Sequence, residues 1–109
     1  MDVTFADERL EAFIKDKKKA GNRYKKYARD AEFYEALIDA IDTMREVECA
    51  KDLEGFSYLH YEPLKHQKKP TSSIRILNGY VERLIFEEYE NGIRVLVLEL
   101  SNDHYGNKK

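Results

Sequence analysis

A chain of 109 residues with 42% hydrophobic and 37% charged side chains can build one packed core and is too short for two. No apolar run is long enough to span a bilayer, and the start MDVTFADERLEAF carries acids where a secretory signal needs a basic end, so a single cytoplasmic domain over residues 1–109 is expected. The one cysteine, Cys49, excludes an internal disulfide, and with three histidines it supplies no metal-ligand spacing.

The net charge of −2 hides segregation: residues 1–30 carry +3, 31–62 carry −7, 63–81 carry +4 and 82–109 carry −2. Basic regions of this kind read either as phosphate-contacting surfaces or as solvated faces.

In chain order, Val3 to Phe5 forms a short edge strand, and Ala6-Asp7-Glu8 places acids at a helix N-terminus. A first helix is expected from about Asp7 to Lys19, with Leu10, Phe13 and Ile14 on its buried stripe and Gly21-Asn22 as its stop. A second is expected from about Arg23 to Val47. Its apolar face takes in Tyr27, Phe33 or Tyr34, Leu37, Ile38, Ile41 and Met44, at the spacing of a core-facing stripe. The two would form an antiparallel hairpin, with Cys49 just past it as a small buried hydrophobe. KDLEGFS connects the helices to the sheet, Tyr58 to Leu64 could form a strand that Pro63 limits to an edge, and His66 to Ser72 reads as an exposed loop.

The segment Ile74 to Leu100 reads as a three-stranded antiparallel meander, because Asn78-Gly79 and Asn91-Gly92 each suit a two-residue type I′ turn. Tight turns would set Arg75 opposite Glu82 and Ile85 opposite Leu98. Ile74, Ile76, Val81, Arg83, Ile85, Leu96, Leu98 and Leu100 would then share one face, apolar except for Arg83. The fold class is therefore α+β, an N-terminal helix hairpin packed on a twisted antiparallel sheet with a short N-terminal strand.

Helices followed by such a sheet, with EPLKH at 62–66 before the meander, Arg-Leu-Ile-Phe from Arg83 inside it, and His104-Tyr105 near the end, resemble the RelE/ParE toxin superfamily. The C-terminal matches are most similar to its YoeB branch. VTFADERLEAF, ALIDAIDTM and Ser73 to Arg75 are more similar to its HigB branch. Three features depart from that pattern: seven residues separate Arg75 from Arg83, four follow Tyr105, and the chain is acidic where the family is usually basic.

The resemblance implies the toxin of a type II toxin–antitoxin pair, a ribosome-dependent mRNA endonuclease in which the RNA's 2′-hydroxyl attacks the adjacent phosphate. Neither metal nor cofactor is required, and the implied partners are a cognate protein antitoxin, the ribosome and its mRNA. Such chemistry needs a base for the 2′ proton, an acid for the leaving 5′ oxygen and cations for the developing charge. Glu62 is the candidate base, with a solvated carboxylate as its plain alternative. His104 is the candidate acid, or a mere tail histidine. Arg83 is the candidate phosphate clamp, or a cross-strand partner of Glu87. Lys65, Lys68 and Lys69 are candidate phosphate contacts, Tyr105 could stack on a base, and His60 and His66 are alternates for acid or base. The rival expectation is a non-catalytic protein of the same fold, either a ParE-like gyrase poison or a degenerate antitoxin-binding member.

Overall fold

The computed structural model describes residues 1–102 and shows an α+β domain built on a five-stranded mixed sheet. In chain order its regular elements are β1 (Asp2–Phe5), α1 (Glu8–Lys15), α2 (Lys25–Ala28), α3 (Ala31–Glu46), β2 (Glu62–Pro63), β3 (Thr71–Arg75), β4 (Arg83–Tyr89) and β5 (Arg94–Ser101). Strand order across the sheet is β1-β5-β4-β3-β2. The sheet is not wholly antiparallel as expected, because β1 lies parallel to β5, with Val3 beside Val95 and Phe5 beside Val97.

Aspartates decide where the helices start and stop. Asp7 caps α1, its Oδ1 accepting from the Arg9 amide at 2.9 Å, while its other oxygen accepts from the Tyr24 hydroxyl at 3.0 Å. Leu10, Phe13 and Ile14 are buried on the expected stripe. The helix ends at Lys15 rather than Lys19. Asp16 turns extended, with φ −150°, and caps a separate 3₁₀ turn over Lys17–Lys19. The expected long second helix is likewise two pieces. Asp30 leaves the helical region at φ −105°, accepts from the Phe33 amide at 3.1 Å, and starts α3 afresh. A short acidic side chain competes for backbone amides more effectively than it supports a helix interior.

Buried side chains from α1 and α3, among them Phe13, Phe33, Leu37 and Ile41, share one core with Ile74, Leu84, Phe86, Val95 and Val97 of the sheet. Successive strand residues point to opposite faces. Arg83, one residue before Leu84, therefore points away from this core, together with Ile85 and Ser73. The expected apolar face was thus wrongly phased: Ile74 belongs to the core side, Arg83 and Ile85 to the other, and Val81 is 48% exposed.

The cause is the first connection. Arg75 pairs with Arg83, not with Glu82 nor across a two-residue turn. The Tyr80 amide does donate to the Leu77 carbonyl at 3.1 Å, but of the central pair only Gly79 has a positive φ, so no type I′ hairpin forms. Residues 76–82 instead pack against the helices. The Tyr80 hydroxyl donates to Asp30 at 2.6 Å, and the Tyr27 hydroxyl to Glu82 at 2.8 Å. Tertiary hydrogen bonds outweigh the local turn signal.

The second connection follows expectation. Asn91 and Gly92 both have positive φ, and the Ile93 amide donates to the Glu90 carbonyl at 3.2 Å. Pairing runs from Tyr89 with Arg94 to Phe86 with Val97, then skips Leu98 in a β-bulge, so that Ile85 meets Glu99 rather than Leu98. The bulge has a consequence for Arg83. Unbroken register would set Leu100 beside it; the extra residue delivers Ser101 instead.

Gly92 is required twice over. Its φ is +86°, and a Cβ there would lie 3.1 Å from the Ala50 amide nitrogen. Gly79, at φ +91°, has open space around it, and Gly55 has open space and no positive φ. Gly92→Ala should therefore destabilise most, by about 1–3 kcal/mol, Gly79→Ala less, and Gly55→Ala least. Urea unfolding of the three variants checks the order; equal midpoints for Gly92→Ala and Gly55→Ala would contradict this packing.

Candidate functional site

Arg83 opens β4 with its side chain on the sheet face opposite the core, yet the residue is only 6% exposed. Three groups hold the guanidinium. Nε donates to Ser73 Oγ at 3.0 Å, Nη2 donates to the His60 carbonyl at 2.9 Å, and Nη2 also lies 3.4 Å from Glu62 Oε1. Nη1 makes no hydrogen bond to a described residue. Among the described residues no side-chain nitrogen or oxygen sealed in the interior lacks a hydrogen-bond partner.

Each holder is positioned by the backbone. Ser73 sits on β3 directly between Ile85 of β4 and Glu62 of β2, so all three side chains point to Arg83's face. His60 takes a left-handed conformation (φ 48°, ψ 52°) that ends a 3₁₀ turn and brings its carbonyl to the guanidinium. Its contribution to the site is therefore the backbone. The imidazole belongs to an exposed residue.

Burial is the largest influence on Arg83, lowering its proton affinity. Glu62 opposes this, and Arg75 lowers it further. A guanidinium nonetheless stays charged in proteins. Arg75 is the direct cross-strand partner of Arg83 and shares its face, an arrangement that destabilises a sheet when like charges stand opposite. Against this pair stand the half-exposed Glu62, whose side chain is 41% accessible, and Glu99, which pairs with Ile85 on the same face. Such a site can bind an anion, and it presents a carboxylate within reach of solvent beside it.

Of the residues picked out in the sequence, Glu62 and Arg83 come together. Lys65, Lys68 and Lys69 occupy the exposed loop between β2 and β3, which closes with the Leu64 amide donating to the Thr71 carbonyl at 2.8 Å. Lys69 acts on Tyr89, at the far end of the β3–β4 pair. Thr71 pairs with Glu87 whereas Arg75 pairs with Arg83, four residues or ~13 Å along the strands, so Lys69 is not beside the clamp. His66 lies in the same loop with a positive φ and an exposed side chain. His104 and Tyr105 lie outside the described residues. Arg75 and Ser73 are the contributors that sequence reasoning missed as site residues. The signal was present in Ser73-Ile74-Arg75, whose alternation puts the serine and the arginine on one face, but the assumed turn gave Arg75 the wrong partner.

A second polar cluster lies on the core side. Glu88 Oε2 accepts from the Tyr61 hydroxyl at 2.5 Å and from Ser72 Oγ at 2.6 Å. Burial and the neighbouring carboxylate push the Tyr61 phenol up to about 12, so it remains a donor at neutral pH. This cluster borders an open depression of about 630 Å³ reaching to Tyr89 and Gly92. Among the described residues no group of three His, Cys, Asp or Glu side chains is arranged to hold a metal, and no helix is long and apolar enough to cross a membrane. Comparison of the chain with protein families, curated proteins and solved structures finds no match.

A buried ion pair seldom stabilises relative to an apolar substitute of similar size. The double change Arg83→Met/Glu62→Met should thus leave stability within ~1 kcal/mol of wild type, whereas Arg83→Met alone strands Glu62 and should cost more, and Leu84→Ala, one residue away on the core face, should cost about 2–5 kcal/mol. Chemical denaturation compares them. A loss above ~3 kcal/mol for the double variant would make the guanidinium a structural strut rather than a ligand-binding group.

Proposed function

We propose that the chain is a toxin of the RelE/ParE kind, its N-terminal helices covering one face of the sheet and the other face acting as a metal-independent, ribosome-dependent mRNA endonuclease. The carrying observation is the buried Arg83 guanidinium, fixed by Ser73, the His60 carbonyl and Glu62, directly across the strands from Arg75 and beside the reachable carboxylate of Glu62.

In this reading the Arg83 guanidinium, with Arg75 across the strand, receives the non-bridging oxygens of the scissile phosphate. Glu62 takes the 2′ proton, the 2′ oxygen bonds to phosphorus, and the P–O5′ bond breaks with both electrons going to the 5′ oxygen. That oxygen needs a proton, which the resemblance assigns to His104. The two guanidiniums offset the charge that builds up on the phosphorane. Lys65 and Tyr105 would contact the flanking nucleotides, and Lys68 and Lys69 would steer the backbone from a greater distance. The ribosome and its mRNA are the targets, a cytoplasmic protein antitoxin is the partner, and no cofactor enters.

One observation favours the non-catalytic reading, a gyrase poison or an antitoxin-binding relic of the same fold. Arg83 is almost wholly buried and already holds three partners, as a structural arginine does. Mapping of transcript 5′ ends after induced expression separates the two. Discrete new ends within translated messages are expected, and Glu62→Gln should reduce them by about 10²–10⁴-fold in rate. Intact messages with arrested DNA replication would favour the gyrase poison and reject the nuclease.

A further inference from the structure

The segment from Lys17 to Arg29 contains seven cationic side chains and no acid. All seven are exposed, and none lies within ion-pair distance of a described carboxylate. The acids that bracket the segment, both partly exposed, are engaged in local hydrogen bonds. Asp16 accepts from the Lys18 amide at 3.0 Å, and Asp30 is taken up by the Phe33 amide and the Tyr80 hydroxyl. The charge of this face is therefore predominantly positive, although the chain as a whole is acidic.

A solvated lysine run would leave its head groups unoriented, but three of these cations are seated on aromatic rings. Lys17 Nζ stands 5.2 Å from the centre of Tyr34, the Arg23 guanidinium 5.8 Å from Tyr24, and Lys26 Nζ 5.2 Å from Tyr27. Those rings belong to a packed aromatic layer. Phe13 touches both Tyr24 and Tyr34, with centroids 5.3 and 5.0 Å away, and Tyr27 lies on Phe33 at 4.8 Å. The face is also tied to the candidate site. Tyr27 to Glu82 and Asp30 to Tyr80 bind α2 and the start of α3 to the loop that runs from Arg75 to Arg83.

We propose that this ring-seated cationic face, Lys17 to Arg29, is a second RNA-binding surface that grips phosphates outside the reacting segment, on the helix side of the sheet. It rests on the RNA-directed reading above for the existence of a reacting segment, though not for the binding itself. The ligand is a nucleic-acid backbone rather than a protein or a bilayer. The exposed large apolar side chains, Tyr58, Val81 and Ile93, all lie outside this segment, whereas a protein interface core or an inserted helix needs such groups within it. Repeated point charges without apolar contact suit phosphates.

The test is fluorescence anisotropy of a labelled single-stranded RNA oligonucleotide with the full chain, at salt concentrations from about 50 to about 200 mM. Wild type should show a steep decline of log K with log salt. Lys25→Gln/Lys26→Gln and Lys18→Gln/Lys19→Gln should each flatten that slope by about 1.4, two lost phosphate contacts at ~0.7 each for a single strand. Lys51→Gln, an exposed cation elsewhere, should leave the slope unchanged. Unaltered far-UV circular dichroism in each variant shows that folding is retained. Wild-type slopes in both double variants, or no RNA binding at the lowest salt, would overturn the proposal, as would binding to anionic phospholipid vesicles in place of RNA. A protein that shows the expected slopes but leaves transcripts intact would refute the nuclease and leave this surface standing.

Discussion

The constraint that organises this molecule is a cation placed where the sheet can least accommodate it: Arg83, desolvated and facing Arg75 directly across the β3–β4 ladder. An apolar residue at either position would remove the repulsion, and the strands would lose nothing in backbone pairing. What makes the arrangement tenable is the set of acceptors drawn around the guanidinium. The Ser73 hydroxyl comes from the neighbouring strand, the His60 carbonyl from a residue bent into the left-handed region, and the Glu62 carboxylate from a two-residue edge strand. The bulge at Leu98 belongs to the same solution, since it replaces Leu100 by Ser101 at the remaining side of Arg83. Three irregularities converge on one side chain. Local departures from ideal geometry of this sort tend to collect at functional sites.

Tyrosines resolve a second conflict, between an acidic composition and a surface proposed to meet RNA. Asp7, Asp30, Glu82, Glu87 and Glu88 each accept a hydrogen bond from a tyrosine hydroxyl. For Tyr24 and Tyr61, burial first and then the bonded carboxylate raise the phenol to about 12; for Tyr80 the bond to Asp30 leads and gives about the same value. All three remain proton donors at neutral pH. The carboxylates are thereby fixed on the protein's own hydroxyls, and several of them pin loops to helices. Net charge is then a poor guide to the field that a partner meets, because many acids are engaged internally while the cations of Lys17 to Arg29 face outward.

Much of this was legible in the residues. The α1 stripe of Leu10, Phe13 and Ile14, the Asn91-Gly92 hairpin and the pairing of its strands as far as Phe86 followed from spacing and turn chemistry alone. Glu62 and Arg83 were recognisable as a pair from the order of short motifs. What failed did so for tertiary reasons. Asn78-Gly79 looked like a second hairpin, but Asp30 and Tyr27 hold its loop from a distance of some fifty residues in sequence, and the register moved by one. A one-residue slip reverses every side chain, so Arg83 moved from the assumed apolar face to the opposite one. The bulge at Leu98 has no turn residue to announce it. Asp16 and Asp30 could have been read as caps, since each precedes a fresh helical turn, but the surrounding apolar period masked the break. The paired histidine and tyrosine, His104 and Tyr105, stand outside the described residues, so the acid of the proposed reaction rests on resemblance alone.

The central claim is that the Arg83 guanidinium, held by Ser73, His60 and Glu62, meets the proposed anionic ligand. The most direct measurement is the arginine Nε–H region of a ¹⁵N correlation spectrum of the full chain, recorded alone and with a 2′-deoxy trinucleotide that cannot undergo cleavage. The account predicts an Arg83 Nε–H protected from solvent exchange in the free protein, with a nuclear Overhauser contact to Ser73. Both the Arg83 and the Arg75 signals should shift as the trinucleotide is added. An Arg83 Nε–H that exchanges as fast as that of exposed Arg9, or one that stays unmoved while the signals from Lys17 to Arg29 respond, would contradict it.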